Sequence, residues 1–417
     1  MSTVARAAEI AAVLTKHGLF VVLDVSGLGG RGRHRHADVA PAHVRAACEE
    51  LGPTFMKLGQ ILSTRPDLVP PEFETELARL QDCAPTVPFA AIDTALHRGL
   101  GHDPREVFAS FERHPIAAAS IGQVHGATLP DGSPVAVKIR RPGVMARVEE
   151  DLALIARGAA LAARNWELAD RYDPEALAAE FSVTLRNELD YAREGQNCDR
   201  IREELRDQPR VHVPVIHWAA CGDGVLTMER CFGIKITDVD ALDAAGIDRP
   251  AVARDFALLF LGMVFRTGFF HADPHPGNVL VESDGTLALL DYGMVGTVPP
   301  ELRLGMGKVL MAVATHDATL LADALGDLGV ATSAADHAAM VRDLDDFLQK
   351  YRDAALGTIE FSEVLDDLME VVRRNHLRMP RELALLFKTV MMCEGVAQKL
   401  DPSFQLAPVI LPLVQGH

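Results

Sequence analysis

The chain is poor in aromatic residues, 6% in all with two Trp and four Tyr, and poor in positive charge, with 41 Lys+Arg against 58 Asp+Glu for a formal charge of −17. Nucleic-acid binding draws on phosphate neutralisation and base stacking, so nucleic acid is not an expected partner. The strongest basic run, Arg31 to His36 (RGRHRH), reads as a solvated loop. The six cysteines include no CxxC pair, which signals neither a zinc ribbon nor a redox dithiol. A reducing compartment, hence a cytoplasmic location, fits this usage. Long apolar runs are missing too: Phe256 to Phe265 and Leu406 to Val414 are about ten residues each, against roughly twenty for a bilayer-crossing helix. Arg6, Lys16 and Asp24 interrupt the N-terminal apolar stretches, so no signal peptide is indicated.

What is present is ordinary globular usage. Hydrophobic residues at 48% and charged residues at 24% exclude disorder as the dominant state, and 417 residues allow two to three folding units. Apolar residues recur at helical spacing through residue 113, as in Phe55, Leu58, Ile61 and Leu62. From Pro115 to Arg141 the pattern changes, because SIGQVHGATL and VAVKI alternate around the turn cluster Pro130-Asp131-Gly132-Ser133. A small antiparallel sheet is predicted there. Helical periodicity returns from Val144 to Leu205, with Asp173-Pro174 as cap and first-turn proline of a helix carrying ELDYAREGQN. VHVPVIHW and GVLTMER read as two short strands. An apolar helix, Ala251 to Thr267, then precedes the Pro/Gly-rich loop HADPHPGN and a hairpin, VLVES and TLALLD, turned at Asp284-Gly285. Past Pro300 the chain reads as helical. Trp166 and Trp218 are expected to pack, and the helix Ala5 to Leu14 is expected to join the core rather than lie on lipid.

Chemistry concentrates between His271 and Gly293. Asp273 is followed five residues on by Asn278, and Asp291 follows thirteen residues later in a DYG sequence, with a hairpin between. Phosphoryl transfer needs such a set: hard oxygen ligands for Mg²⁺ at the phosphates and a carboxylate beside the attacking oxygen. Asn278 and Asp291 suit the metal, and Asp273 suits the nucleophile. Lys138 lies in VAVKI, on the face of Ala136 and opposite Val137 and Ile139, where a partly covered ammonium needs an anion such as a phosphate. Glu188, Asp190 and Glu194 are candidate partners from the ELDYAREGQN helix, with Asp190 and Glu194 on one face by i,i+4 spacing.

Together with KLGQILSTRPDLVP, AAASIGQVH, VAVKIRRPGV and LFKTVMMCEGVAQKLDPSF, these segments resemble the UbiB protein-kinase-like family, atypical kinases linked to quinone biosynthesis and lipid homeostasis. The resemblance implies a two-lobed, α+β protein-kinase-like fold. It implies an N-terminal helical extension, residues 1–113, carrying the KxGQ motif at Lys57 to Gln60. A small lobe would follow over 114–232 and a large, mainly helical lobe over 233–417. By similarity Ala117, Ala118, Ala119 and Ser120 form an alanine-rich loop over the phosphates of ATP or ADP. Lys138 is then the phosphate lysine and Glu194 its helix partner. Met228 and Glu229, in VLTMER, fall at the hinge that meets adenine. Glu188 and Asp190 form an ExD motif facing Lys57 and Gln60, which occlude the place where a protein substrate docks. The implied activity is Mg²⁺-dependent ATPase or small-molecule kinase chemistry acting on an isoprenoid quinone precursor or lipid, peripheral to the inner face of a membrane.

Two rival readings accompany this one. A nucleotide-gated pseudokinase would use the same site for a change of shape. The HxDxH pattern His271, Asp273, His275 is of the kind that ligates metal in hydrolases. Ala272 stands where the kinase HRD motif has arginine, which removes the usual handle for a phosphorylated activation loop.

Overall fold

Turn chemistry and alternation locate most of the strands. A computed structural model describes residues 3–19, 40–63, 65, 68–80, 86–165, 173–330, 337–352, 361–375, 377 and 380–415. Arg31 to His36 and Trp166 lie outside these residues. Among them the strands are β1 (Ser110–Ala118), β2 (Gly122–Thr128), β3 (Pro134–Arg140), β4 (Val211–His212), β5 (Val225–Glu229), β6 (Ile234–Lys235), β7 (Phe269–His271), β8 (Val279–Val281), β9 (Leu287–Leu289) and β10 (Val295–Thr297). The chain divides into two compact units, Met1–Arg193 with Ile216–Arg230, and Glu194–Val215 with Cys231–His417.

The first unit holds an antiparallel sheet in the order β1-β2-β3-β5. Alternation along β3 buries Val135, Val137 and Ile139 against Ile92, Leu96 and Leu100 of the helix Phe89–Leu100. The opposite face carries Ala136 and Lys138, as the alternation predicts. The sheet starts earlier than expected, since β1 takes in Ser110 to Arg113, which helical periodicity had claimed; its pairing with β2, a non-local contact, decides the matter. N-terminal to the sheet, the helix Thr3–Lys16 packs through Val13 on Ala47 and Leu51 of the helix Pro41–Leu51, confirming its place in a core.

The predicted helix through ELDYAREGQN is in fact two. Asp173 accepts a hydrogen bond from Ala176 N and Pro174 opens the helix Pro174–Leu189. That helix closes at Asp190, whose φ of −91° and ψ of 87° are not helical. The Asp190 carboxylate then accepts from Arg193 N (3.1 Å) and caps the next helix, Tyr191–Glu204. Asp190 and Glu194 therefore share no helix face.

In the second unit, β4-β9-β8-β6 form one sheet, with β4 parallel to β9, and β7 pairs with β10. The β8–β9 turn needs Gly285, whose φ of +86° lies in the left-handed region. The helix Arg249–Gly262, extended by a π-helical turn over Met263–Thr267, buries most of its apolar residues and packs on the helix Arg381–Leu400. It is a core helix, and no helix among the described residues is long and apolar enough to cross a membrane. Trp218 departs from expectation: it is 43% exposed rather than buried.

Candidate active site

Strand register gathers one group of candidates in the first unit. Val124 stands opposite both Ala117 and Lys138, Lys138 opposite Leu226, and Ala136 opposite Met228. Directly opposed residues point the same way, so Ala117, Lys138 and Met228 occupy one face of the sheet. Ala118 ends β1, and Ala119 and Ser120 make the tip of the β1–β2 turn, where Ala119 N donates to Gly122 O (2.9 Å). Glu229 ends β5, and the chain enters the second unit after Arg230.

Tyr191 was not singled out from the sequence, although it lies within the ELDY motif. It is 2% exposed, and Lys138 Nζ lies 5.1 Å from its ring centroid. Its hydroxyl rests on Gly122, where an added Cβ would lie 2.2 Å from the phenolic oxygen and 3.0 Å from Ile139 O. A side chain there must displace a buried ring and crowd the backbone of β3. Gly122→Ala is expected to cost about 1–3 kcal/mol in urea unfolding, as overpacking does. Wild-type stability in that variant would refute the fit.

The KxGQ segment lies on the helix Pro53–Leu62. Lys57 Nζ pairs with Glu188 Oε1 at 2.8 Å, with the two side chains 13% and 12% exposed. Gln60 Nε2 donates to Leu80 O. Gly59 permits close packing, since a Cβ there would be 2.2 Å from Leu80 Cδ1. Lys57 and Glu188 thus meet as the resemblance implies, while the Asp190 carboxylate serves as a cap.

The second unit assembles Asp273, Asn278 and Asp291 around a buried histidine. His271, 1% exposed, accepts from Asp273 N at Nδ1 (3.2 Å). Its proton must then sit on Nε2, which donates to Asp291 O. Burial pushes this imidazole below its ordinary pKa, despite the pull of Asp273 and Asp291, and so favours the neutral ring. Phe260 and Tyr292 pack edge-on against it, with centroids at 5.7 and 5.6 Å. Asn278 Nδ2 donates to Asp273 Oδ2 (3.1 Å), and Gly293 N donates to Asp291 Oδ1 (2.8 Å). Asn197 Nδ2 adds a bond to Tyr292 O (3.0 Å), fixing the DYG turn from the helix Tyr191–Glu204. Glu194, on that helix, is 3% exposed.

This geometry removes the basis of the HxDxH reading. Both ring nitrogens of His271 are already bonded, so it is a brace rather than a metal ligand. His275 Nδ1 accepts from Gly277 N (3.1 Å) and caps the short turn Pro276–Asn278. Among the described residues no three His, Cys, Asp or Glu side chains are grouped to hold a metal ion. The carbonyl oxygen of Asn278 and the carboxylate of Asp291 are hard donors of the kind Mg²⁺ takes alongside phosphate oxygens. One charged residue was missed: Lys388 Nζ lies 3.0 Å from Asp273 Oδ1. The signal for it was a lone lysine within an apolar helical run, LALLFKTVMM.

Comparison with known proteins gives the family. Residues 79–325 match the ABC1 atypical kinase-like domain, and residues 344–405 match the UbiB helical domain. A probable protein kinase UbiB of Marinobacter nauticus is 35% identical over 379 residues, covering 89% of this chain and 69% of that protein. An uncharacterized protein in the hydrogenase 1 5' region of Clostridium pasteurianum is 32% identical, over 100% of this chain and 77% of its own. The structure of the Mycobacterium tuberculosis Rv3197–erythromycin complex aligns with a TM-score of 0.57 at 27% identity, covering 84% of this chain and 90% of that one. The molecule is thus an atypical kinase-like protein with a two-lobed, α+β protein-kinase-like fold. The chain belongs to the UbiB family.

Proposed function

We propose that the protein carries out Mg²⁺-dependent ATP chemistry, as an ATPase or a small-molecule kinase, in support of isoprenoid-quinone or other membrane-lipid metabolism. The observation that carries this reading is the His271 brace, which ties the Asp273 loop to the backbone of Asp291, with Asn278 bonded to the Asp273 carboxylate. Asn278 and Asp291 would hold the metal, whose part is to neutralise charge on the phosphates. Asp273 would orient the attacking oxygen and take its proton. Lys138, sharing a sheet face with Ala117 and Met228, would hold the phosphates, with Glu194 as its partner. Ala117 to Ser120 would form the loop over the nucleotide, and Met228 with Glu229 would lie beside adenine. Lys57 and Gln60, with Glu188 and Asp190, would restrict the acceptor to water or a small molecule.

The test is ATP turnover with and without Mg²⁺, bilayers and isoprenoid phenols, followed by product analysis. ADP and phosphate alone support an ATPase; a labelled small molecule supports a kinase. Binding of Mg²⁺-nucleotide with no turnover under any of these conditions would overturn the catalytic reading in favour of the pseudokinase one. Stimulation by bilayers would place the acceptor or the regulator at a peripheral membrane site.

A further inference from the structure

The helix Arg381–Leu400 buries Leu383, Leu386, Thr389, Val390 and Cys393, yet it also carries Lys388 with its side chain only 18% exposed. An ammonium drawn this far from water needs an anion, and Asp273 Oδ1 supplies it at 3.0 Å. The other carboxylate oxygen takes Asn278 Nδ2 at 3.1 Å. One donor on each oxygen, from two different elements, fixes both the plane and the direction of the carboxylate. On the main chain, Asp273 N is held by His271. Ala272, 0% exposed, offers no cation where the HRD motif has arginine. The helical domain provides one instead.

We propose that Lys388 is a positioning residue for Asp273, a charge partner supplied by the C-terminal helical domain that aims the catalytic carboxylate. This rests on the reading of Asp273 as the group that faces the acceptor. It makes turnover, but not nucleotide affinity, depend on the seating of the helix Arg381–Leu400 against the catalytic loop.

The experiment measures single-turnover and steady-state ATP hydrolysis, and separately the binding of a fluorescent nucleotide, in full-length Lys388→Met, Lys388→Arg, Asp273→Asn and the Lys388→Met/Asp273→Asn double variant. Lys388→Met is expected to lose roughly 10–100-fold in kcat, the cost of a misaimed group, with nucleotide affinity within about twofold. Lys388→Arg should recover most of that rate. In the Asp273→Asn background Lys388→Met should cost nothing further, because its effect runs through a carboxylate already removed. An undiminished loss in that background, or an unchanged kcat in Lys388→Met alone, would overturn the proposal while leaving the ATP chemistry intact. Full turnover by Asp273→Asn would instead sink the catalytic reading, and this proposal with it. Should Lys388→Met fail to fold, Lys388→Gln, which removes the charge and is one bond shorter, carries the same coupling measurement.

Discussion

Asp291→Asn is expected to lower Mg²⁺-dependent ATP turnover by ~10³-fold while leaving the melting temperature unchanged. The separation of the two readouts follows from the local bonding. Asp291 Oδ1 accepts from Gly293 N, and an amide oxygen accepts the same bond in the same place. Asp291 also lends its backbone carbonyl to His271, which no side-chain change removes. The DYG turn and its brace are thus preserved, and what disappears is one formal negative charge. A charge serves a divalent ion far more than it serves this turn, so the loss falls on catalysis. Isothermal titration of Mg²⁺-nucleotide should show weaker, metal-insensitive binding. Turnover near the wild-type rate would remove Asp291 from the metal site.

The pattern of what was readable follows the range of the forces. Lys138 was placed by alternation, and the structure gives it the face opposite Val137 and Ile139. The β8–β9 hairpin was placed by Asp284-Gly285, where Thr286 N donates to the Asp284 carboxylate and Gly285 takes positive φ. These are decisions within a few residues. Asp190 shows where such reading stops: periodicity runs through it, but its short carboxylate competes for the backbone and starts a new helix. β1 extends back to Ser110 because β2 pairs with it, and β4 pairs with β9 although β5 to β8 intervene in the chain. The candidate site divides in the same way. The spacing of Asp273, Asn278 and Asp291 was legible because they share one loop and hairpin. Lys388 reaches Asp273 from 115 residues away, and His271 drew notice only as a candidate ligand. Its role as a brace depends on partners that spacing does not reveal.

The largest expected effect on stability is at Arg6, in the first unit. Its side chain is 0% exposed, and Nε meets Asp151 Oδ1 at 2.5 Å while Nη2 meets Asp151 Oδ2 at 3.0 Å and Leu51 O at 2.8 Å. One guanidinium thus joins the helix Thr3–Lys16 to the helix Val144–Asn165 and to the end of the helix Pro41–Leu51. Asp151 is itself 1% exposed. Removing the cation strands a carboxylate in a dry setting, where neither water nor the more distant Arg147, at 4.0 Å, fully replaces it. Arg6→Met is therefore expected to destabilise the first unit by about 3–5 kcal/mol. Urea unfolding followed by circular dichroism reads this directly. The pair itself need not be worth that much, since its Coulomb gain is set against the desolvation of both ions. Arg6→Met combined with Asp151→Leu should accordingly recover most of the loss, an apolar contact replacing an ionic one. Equal destabilisation in the double variant would mean that the bond from Nη2 to Leu51 O, and the packing of the guanidinium 5.7 Å from the Phe55 ring, hold the helices rather than the ion pair.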